Sequence, residues 1–159
     1  MDATGKPLVV ADAGGNDILS VTHGAISLVA LLPFGTAPAP AMPGAPAPPP
    51  GGTIPVDPVP TSVVRAPDGT LYVGQLTGFP FVPGAASVWR IAPDGSPEVV
   101  ATGFTMITDL APGALIRVSP AAGRLVTPTG ITLGHGAAYV SNNGAAPGTG
   151  EVLRIPLGD

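Results

Sequence analysis

Three polar side chains recur at one point of a repeated pattern. Asp12 follows LVVA, Gln75 follows LYVG and Asn142 follows AYVS, and a Gly-containing loop comes after each. If the repeats surround a common axis, these side chains converge on it. A ring of such groups suits a cation held by oxygen ligands, Ca2+ or another divalent metal, or a polar ligand. Asp109, Asn143, Asn16 and Asp17 could join the set. The plainer reading is that Asp and Asn open turns by accepting bonds from nearby backbone N–H groups. The residue types fit both.

Nucleophilic and acid–base chemistry finds little support. His23 and His135 each precede a glycine, in turn-like contexts with no acidic residue beside them. A catalytic histidine needs a positioning partner and a matched pKa, so both read as exposed turn residues. Ser141 lacks the G-x-S-x-G elbow, and neither a GxGxxG nor a phosphate-loop pattern occurs. No residue is assigned a catalytic role, and no cofactor is required by the sequence. Cysteine is absent, which removes disulfides and thiolate metal sites. The six Lys and Arg are dispersed and the net charge is −4. Nucleic acid needs clustered cations, so it is not an expected partner. No apolar run reaches the length of a membrane span, and the opening MDATGKPLVV has no signal-peptide pattern.

The elements that would position these residues are short strands. Gly (23) and Pro (22) make up more than a quarter of 159 residues, while charged residues reach only 10%. Much of the Gly and Pro lies between short apolar runs, where turns belong. Leu8–Val21, Leu71–Ile91 and Ala138–Ile155 each read as strand, loop, strand. PTSVVRAPDG precedes the second of these hairpins and PTGITLGHG the third. Pro-Asp-Gly turns, at 67–69 and 93–95, flank the second hairpin. One full unit is therefore strand, turn, strand, loop, strand, turn, strand, which is the pattern of a four-stranded antiparallel propeller blade.

Only Thr61–Phe104 carries the whole unit. The first unit begins at its second strand. The third has Met106–Leu110, then Ala114–Val118, with no evident second strand between them, followed by RLVTP. The last ends on its third strand at Ile155. About thirteen strands in about four units are expected. Residues 35–58, GTAPAPAMPGAPAPPPGGTIPVDP, break the pattern and read as a Pro/Ala/Gly-rich surface loop with polyproline character. LTGFPFVPG carries Phe79 and Phe81, which either form an exposed, ligand-gripping loop or fold over the blade; packing is favoured because exposed Phe is costly in water.

The stretches VVADAGGND, PTSVVRAPDG, YVGQLTGFPF, ATGFTMITDLA, PTGI and YVSNNGAAPGTGEVLRI together resemble the ScyD/ScyE family, bacterial β-propeller proteins related to the NHL and SMP-30-like groups. LTGFPF and SNNG-PG-GEV are the specific parts, and the resemblance spans nearly all of the chain outside the Pro-rich segment. It implies a propeller fold and an extracellular or periplasmic location. An SMP-30-like hydrolase would hold a divalent metal in its channel with Glu, Asn and Asp, polarising a lactone carbonyl and activating water. Only Glu98 and Glu151 are available here, both at strand edges, and Gln75 stands where the family typically has an acidic residue. Family members usually have about six blades and a secretion signal, so this chain reads as a shortened form.

Together these observations predict a single all-β, propeller-type domain over residues 1–159. Incomplete blades leave sheet edges open, and open edges pair with other chains. The expected function is a non-enzymatic structural or interaction module that forms a homo-oligomer or filament by strand completion. The alternative is a ligand or metal site built on Asp12, Gln75, Asn142, Asn143 and Asp109.

Overall fold

A computed structural model describes residues 5–111, 130–143 and 148–156. Among these the chain forms twelve strands and no helix, in four antiparallel sheets. The complete repeat is a four-stranded sheet of β6 (Pro60–Arg65), β7 (Leu71–Gln75), β8 (Ala86–Ile91) and β9 (Pro97–Phe104), paired in chain order. Its outer turns are the two Pro-Asp-Gly sequences. In each, the aspartate Oδ1 accepts a bond from the N–H two residues on, Thr70 N for Asp68 and Ser96 N for Asp94, both at 3.0 Å. Gly69 and Gly95 supply the positive φ, 93° and 86°, that closes the turn. Those same bonds hold the Asp68 and Asp94 carboxyls below the ordinary aspartate range.

The first sheet is β1 (Leu8–Asp12), β2 (Asp17–Thr22) and β3 (Ala25–Leu31), and the third is β10 (Gly130–Gly134), β11 (Ala137–Asn142) and β12 (Glu151–Pro156). His23-Gly24 joins β2 to β3, and His135-Gly136 joins β10 to β11. All four residues have positive φ, as a two-residue hairpin turn requires. Both histidines are exposed there.

The three repeats keep one register. Leu8 pairs with Val21, Leu71 with Ile91 and Ala138 with Ile155. One step on, Val10 pairs with Leu19, Val73 with Trp89 and Val140 with Leu153. β1, β7 and β11 are thus equivalent, as are β2, β8 and β12. Against the four strands of the second sheet, the first lacks the β6 equivalent among the described residues. Among the described residues, the third lacks the β9 equivalent.

Three expectations differ from what is found. Residues 35–58 are not loop throughout: β4 (Gly35–Pro38) pairs with β5 (Thr53–Val56), and Ala39 N donates to Gly52 O at 2.9 Å. Pro38 and Pro55 fit because a two-stranded ribbon is all edge, so a missing N–H can face away from the partner. Met106–Leu110 is not a strand. It is a strap held across one end of the second sheet by Ile107 N donating to Gln75 O (3.1 Å) and Thr61 Oγ1 donating to Ile107 O (2.5 Å). Those contacts use the groups a ladder would have needed. Phe79 and Phe81 stay about half exposed, packed on each other edge to face with centroids 6.2 Å apart. Ring-on-ring contact replaces burial under the sheet. The expected strands at Ala114–Val118 and RLVTP lie outside the described residues, and no closed ring of sheets forms among the described ones.

The main core lies between the first and second sheets. Ile18, Ala30 and Leu32 pack on Leu71, Val73 and Ile91, with Val9, Ala11, Val29, Val63 and Trp89 around them. The opposite face of the second sheet buries Ala86 and Val88 under Ile107, with Phe104 of β9 and Leu110 of the strap beside it. Gly74 is the close approach that permits this, since a Cβ there would sit 2.6 Å from Ile107 Cγ2.

Candidate functional site

Asp12, Gln75 and Asn142 are the last residues of β1, β7 and β11, so the shared register puts them at the same end of their sheets. Each is bonded locally, and each differently. Asp12 Oδ1 accepts from Gly14 N (2.9 Å) and Gly15 N (3.2 Å), which makes it the opening residue of a turn. Gln75 is buried; its Oε1 accepts from Trp89 Nε1 at 2.6 Å. Asn142 is also buried and donates from Nδ2 to Glu151 Oε1 at 2.9 Å. Asn143, at φ 56°, donates to that same oxygen at 3.2 Å. Glu151 therefore gathers two amides at the mouth of the third hairpin.

Asp109 belongs to the strap. Its Oδ1 accepts from Leu110 N (2.8 Å) and its Oδ2 from Ile131 N (3.1 Å), so it ties the strap to the start of β10. Asp17 pairs with Asp12 across the first hairpin. A Cβ on Gly15 would lie 3.0 Å from Asp17 Oδ2 and 3.1 Å from Asp12 Oδ2, so the two carboxylates face one small space. Asp17 Oδ1 is buried without a hydrogen-bond partner. Among the described residues no three Asp, Glu or His side chains gather as a metal-holding group.

The densest polar junction centres on Asn16. This buried residue has φ 57°, a conformation that asparagine tolerates better than most. Its Nδ2 donates to Asp57 Oδ1 (2.6 Å), its Oδ1 accepts from Val59 N (3.1 Å), and its carbonyl accepts from Leu32 N (2.9 Å). It pins the first hairpin loop to the segment leading into β6. That segment in turn pairs with the chain leaving β7. Leu76 N donates to Val59 O (2.9 Å) and Gly78 N to Asp57 O (2.8 Å). Val59 and Thr77 have φ 47° and 80°, strained for β-branched residues, and the Thr77 hydroxyl is buried without a partner. The sequence placed Asn16 near the candidate set but carried no sign of its partners, Asp57 and Val59. They are over forty residues away and lie beyond the Pro-rich segment. Trp89 and Glu151 were similarly missed as partners, although the hairpin register alone sets Glu151 opposite Asn142.

These groups can bond backbone, bond one another or bind a polar ligand at the loop end. No nucleophile–base pair is formed by them. No protein-family model matches the chain, and no curated protein matches it. A solved X-ray structure of a protein provisionally described as a gluconolactonase is similar to it, with 17% identity and a TM-score of 0.39, over 94% of this chain and 45% of that one. The chain thus spans less than half the length of that structure.

Proposed function

We propose that the chain is a non-enzymatic structural or interaction module of β-propeller type that self-assembles through its open sheet edges. In this reading residues 1–159 act as one domain, the three repeat sheets are blades, and the chain is a ScyD/ScyE-like protein working outside the cytoplasm. The observation that carries it is the unequal completion of three sheets in one register. Among the described residues β1 has no strand on the side where β7 holds β6, and β12 has none on the side where β8 holds β9. Such edges present rows of unmet N–H and C=O groups, and a matching strand from another copy would satisfy them. The local bonding of Asp12, Gln75 and Asn142 accords with turn and packing roles.

Light scattering combined with hydrogen exchange tests this. Mass should rise with concentration, and amides of Leu8–Asp12 and Glu151–Pro156 should gain protection in step. A monodisperse monomer at high concentration, with those amides exchanging at a constant rate, refutes it.

A second reading, a channel-site ligand or metal binder and by extension an SMP-30-like hydrolase, has one observation in its favour. The Asp12 and Asp17 carboxylates face a common space beside Gly15, and Asp17 Oδ1 is buried and unpartnered. Hard oxygens of this kind suit Ca2+. Calcium should then raise the melting temperature of the wild type and not of Asp12→Ala. Equal shifts, or none, would remove that reading.

A further inference from the structure

The shared register allows each face of each sheet to be compared position by position. One face carries Leu8, Val10, Leu19 and Val21 in the first sheet, and Leu71, Val73, Trp89 and Ile91 at the same positions in the second. In the second sheet this face is buried: Val73 and Ile91 are both at 0% exposure. What covers it is the reverse face of the first sheet, through Ile18, Val9, Ala11 and Ala30. In the first sheet the equivalent face is open. Cross-strand pairing extends it onto β3, where Val21 meets Ile26 and Leu19 meets Leu28. Ile26 is 67% exposed and Leu28 62%, with Leu8 and Val10 exposed beside them. Leu8, Val10, Ile26 and Leu28 thus stand exposed on one face, with Leu19 and Val21 half-buried between them.

The third sheet presents the counterpart. Its reverse face pairs Ser141 with Val152, Tyr139 with Arg154 and Ala137 with Pro156; it is open along β12, while Ala137 is buried and Ser141 and Tyr139 are half-buried. Val152 is equivalent to Ile18 and Val88, which are 0% and 1% exposed, yet Val152 is 69% exposed. Arg154 on this face is no obstacle. Arg90 holds the same position in the second sheet, whose reverse face still buries Val88, and an arginine stem covers apolar surface while its head reaches water.

We infer that the open face of the first sheet docks the reverse face of the third sheet of a second copy, repeating between molecules the stacking that joins the first and second sheets within one. This rests on the self-assembly reading and names the contact that comes first: sheet faces meet, and strand edges pair only once the faces have met. The contact is head to tail, so each copy keeps one free face of each kind and growth continues unless the rotation closes a ring. Three strands about 4.8 Å apart and four residues of about 3.3 Å rise give a face well below the roughly 800 Å2 per partner of a standard interface. Association through it is therefore weak and concentration-dependent.

Sedimentation velocity on the full chain and three variants tests it. Leu28→Lys and Ile26→Lys each spoil the open face, and Val152→Lys the reverse face, all at exposed positions. Circular dichroism melts matching the wild type would confirm that each variant folds, and two independent lesions cover the open face in case one does not. Each variant alone is expected to sediment as a monomer where the wild type forms larger species. Mixing Leu28→Lys or Ile26→Lys with Val152→Lys should restore a species of two chains and nothing larger, because the mixture holds one intact face of each kind. Assembly of all three variants like the wild type overturns the stacking and leaves assembly through edges standing. A mixture that stays monomeric overturns the head-to-tail pairing. A wild type that is monomeric at every concentration overturns both readings.

Discussion

Replacing Asn16 probes the junction on which the placement of the first two sheets depends. Its side chain makes two bonds to the segment before β6, donating to Asp57 Oδ1 and accepting from Val59 N. Asn16→Gly keeps the positive φ and deletes both. Asp57 is exposed and can be rehydrated, so its bond contributes less than is usual for a charged acceptor, about 1 kcal/mol. Val59 N sits on a half-buried residue and loses its acceptor, about another 1 kcal/mol. The added chain freedom of glycine in the unfolded state costs a further ~0.5–1 kcal/mol. A total near 2–3 kcal/mol corresponds, for a domain of this size, to a fall in melting temperature of roughly 4–12 °C. Asn16→Asp separates the two bonds. It keeps the acceptor for Val59 N but sets a carboxylate against the Asp57 oxygen, where the amide now donates at 2.6 Å. Two carboxylates that close repel when both are ionised, so stability would be poorest at neutral pH and recover on acidification as one of them takes up a proton. Thermal melts of both variants between pH 4 and 8 decide it. An Asn16→Gly melt within a degree of wild type, or an Asn16→Asp deficit that does not shrink on acidification, would refute the role given to this residue.

Other perturbations follow from single contacts. Gly74→Ala places a Cβ 2.6 Å from Ile107 Cγ2 and 2.9 Å from Ser62 Oγ. It should cost about 1–3 kcal/mol, and pairing it with Ile107→Ala should cost less than the sum of the two single changes, as a double-mutant cycle by denaturant unfolding would reveal. Ile18→Ala empties a fully buried position between two sheets. A loss of about 2–5 kcal/mol is expected by the same measurement; a loss under 1 kcal/mol would mean that the sheets are not packed there. Asp68 and Asp94 have depressed carboxyl pKa values, caused first by the bonds from Thr70 and Ser96. Their contribution to stability is present above the unfolded aspartate pKa and is lost as pH falls through the lower folded value. Asp68→Ala with Asp94→Ala should therefore melt lower at pH 7 and lose less on acidification below about pH 4 than the wild type.

What could be read from the sequence and what could not divide along a physical line. The hairpins were legible because their determinants are local. Apolar runs set the strands, Pro-Asp-Gly set two turns, and His-Gly, with both residues at positive φ, set two more. The position of Asp12, Gln75 and Asn142 at equivalent strand ends was legible for the same reason: it is a property of register. Their bonding was not. Gln75 meets Trp89 because an adjacent strand carries a large donor, and Asn16 meets Asp57 because two sheets stack; neither fact is written near those residues. The strap was misread because Met106–Leu110 has strand-like composition, yet its amide and carbonyl bond Gln75 and Thr61 in place of a neighbouring strand. Leu8, Val10, Ile26 and Leu28 show the same division most sharply. Their composition matches that of Leu71, Val73 and Ile91, and only the stacking order decides that one set is covered and the other open. A repeat copies the demand for a neighbour into every unit, and among the described residues the second sheet is covered on both faces and the first on one. The chemistry of an outer sheet is then set by what arrives to cover it. That is why the open face, and not the local polar clusters, is where the function of this chain is best tested.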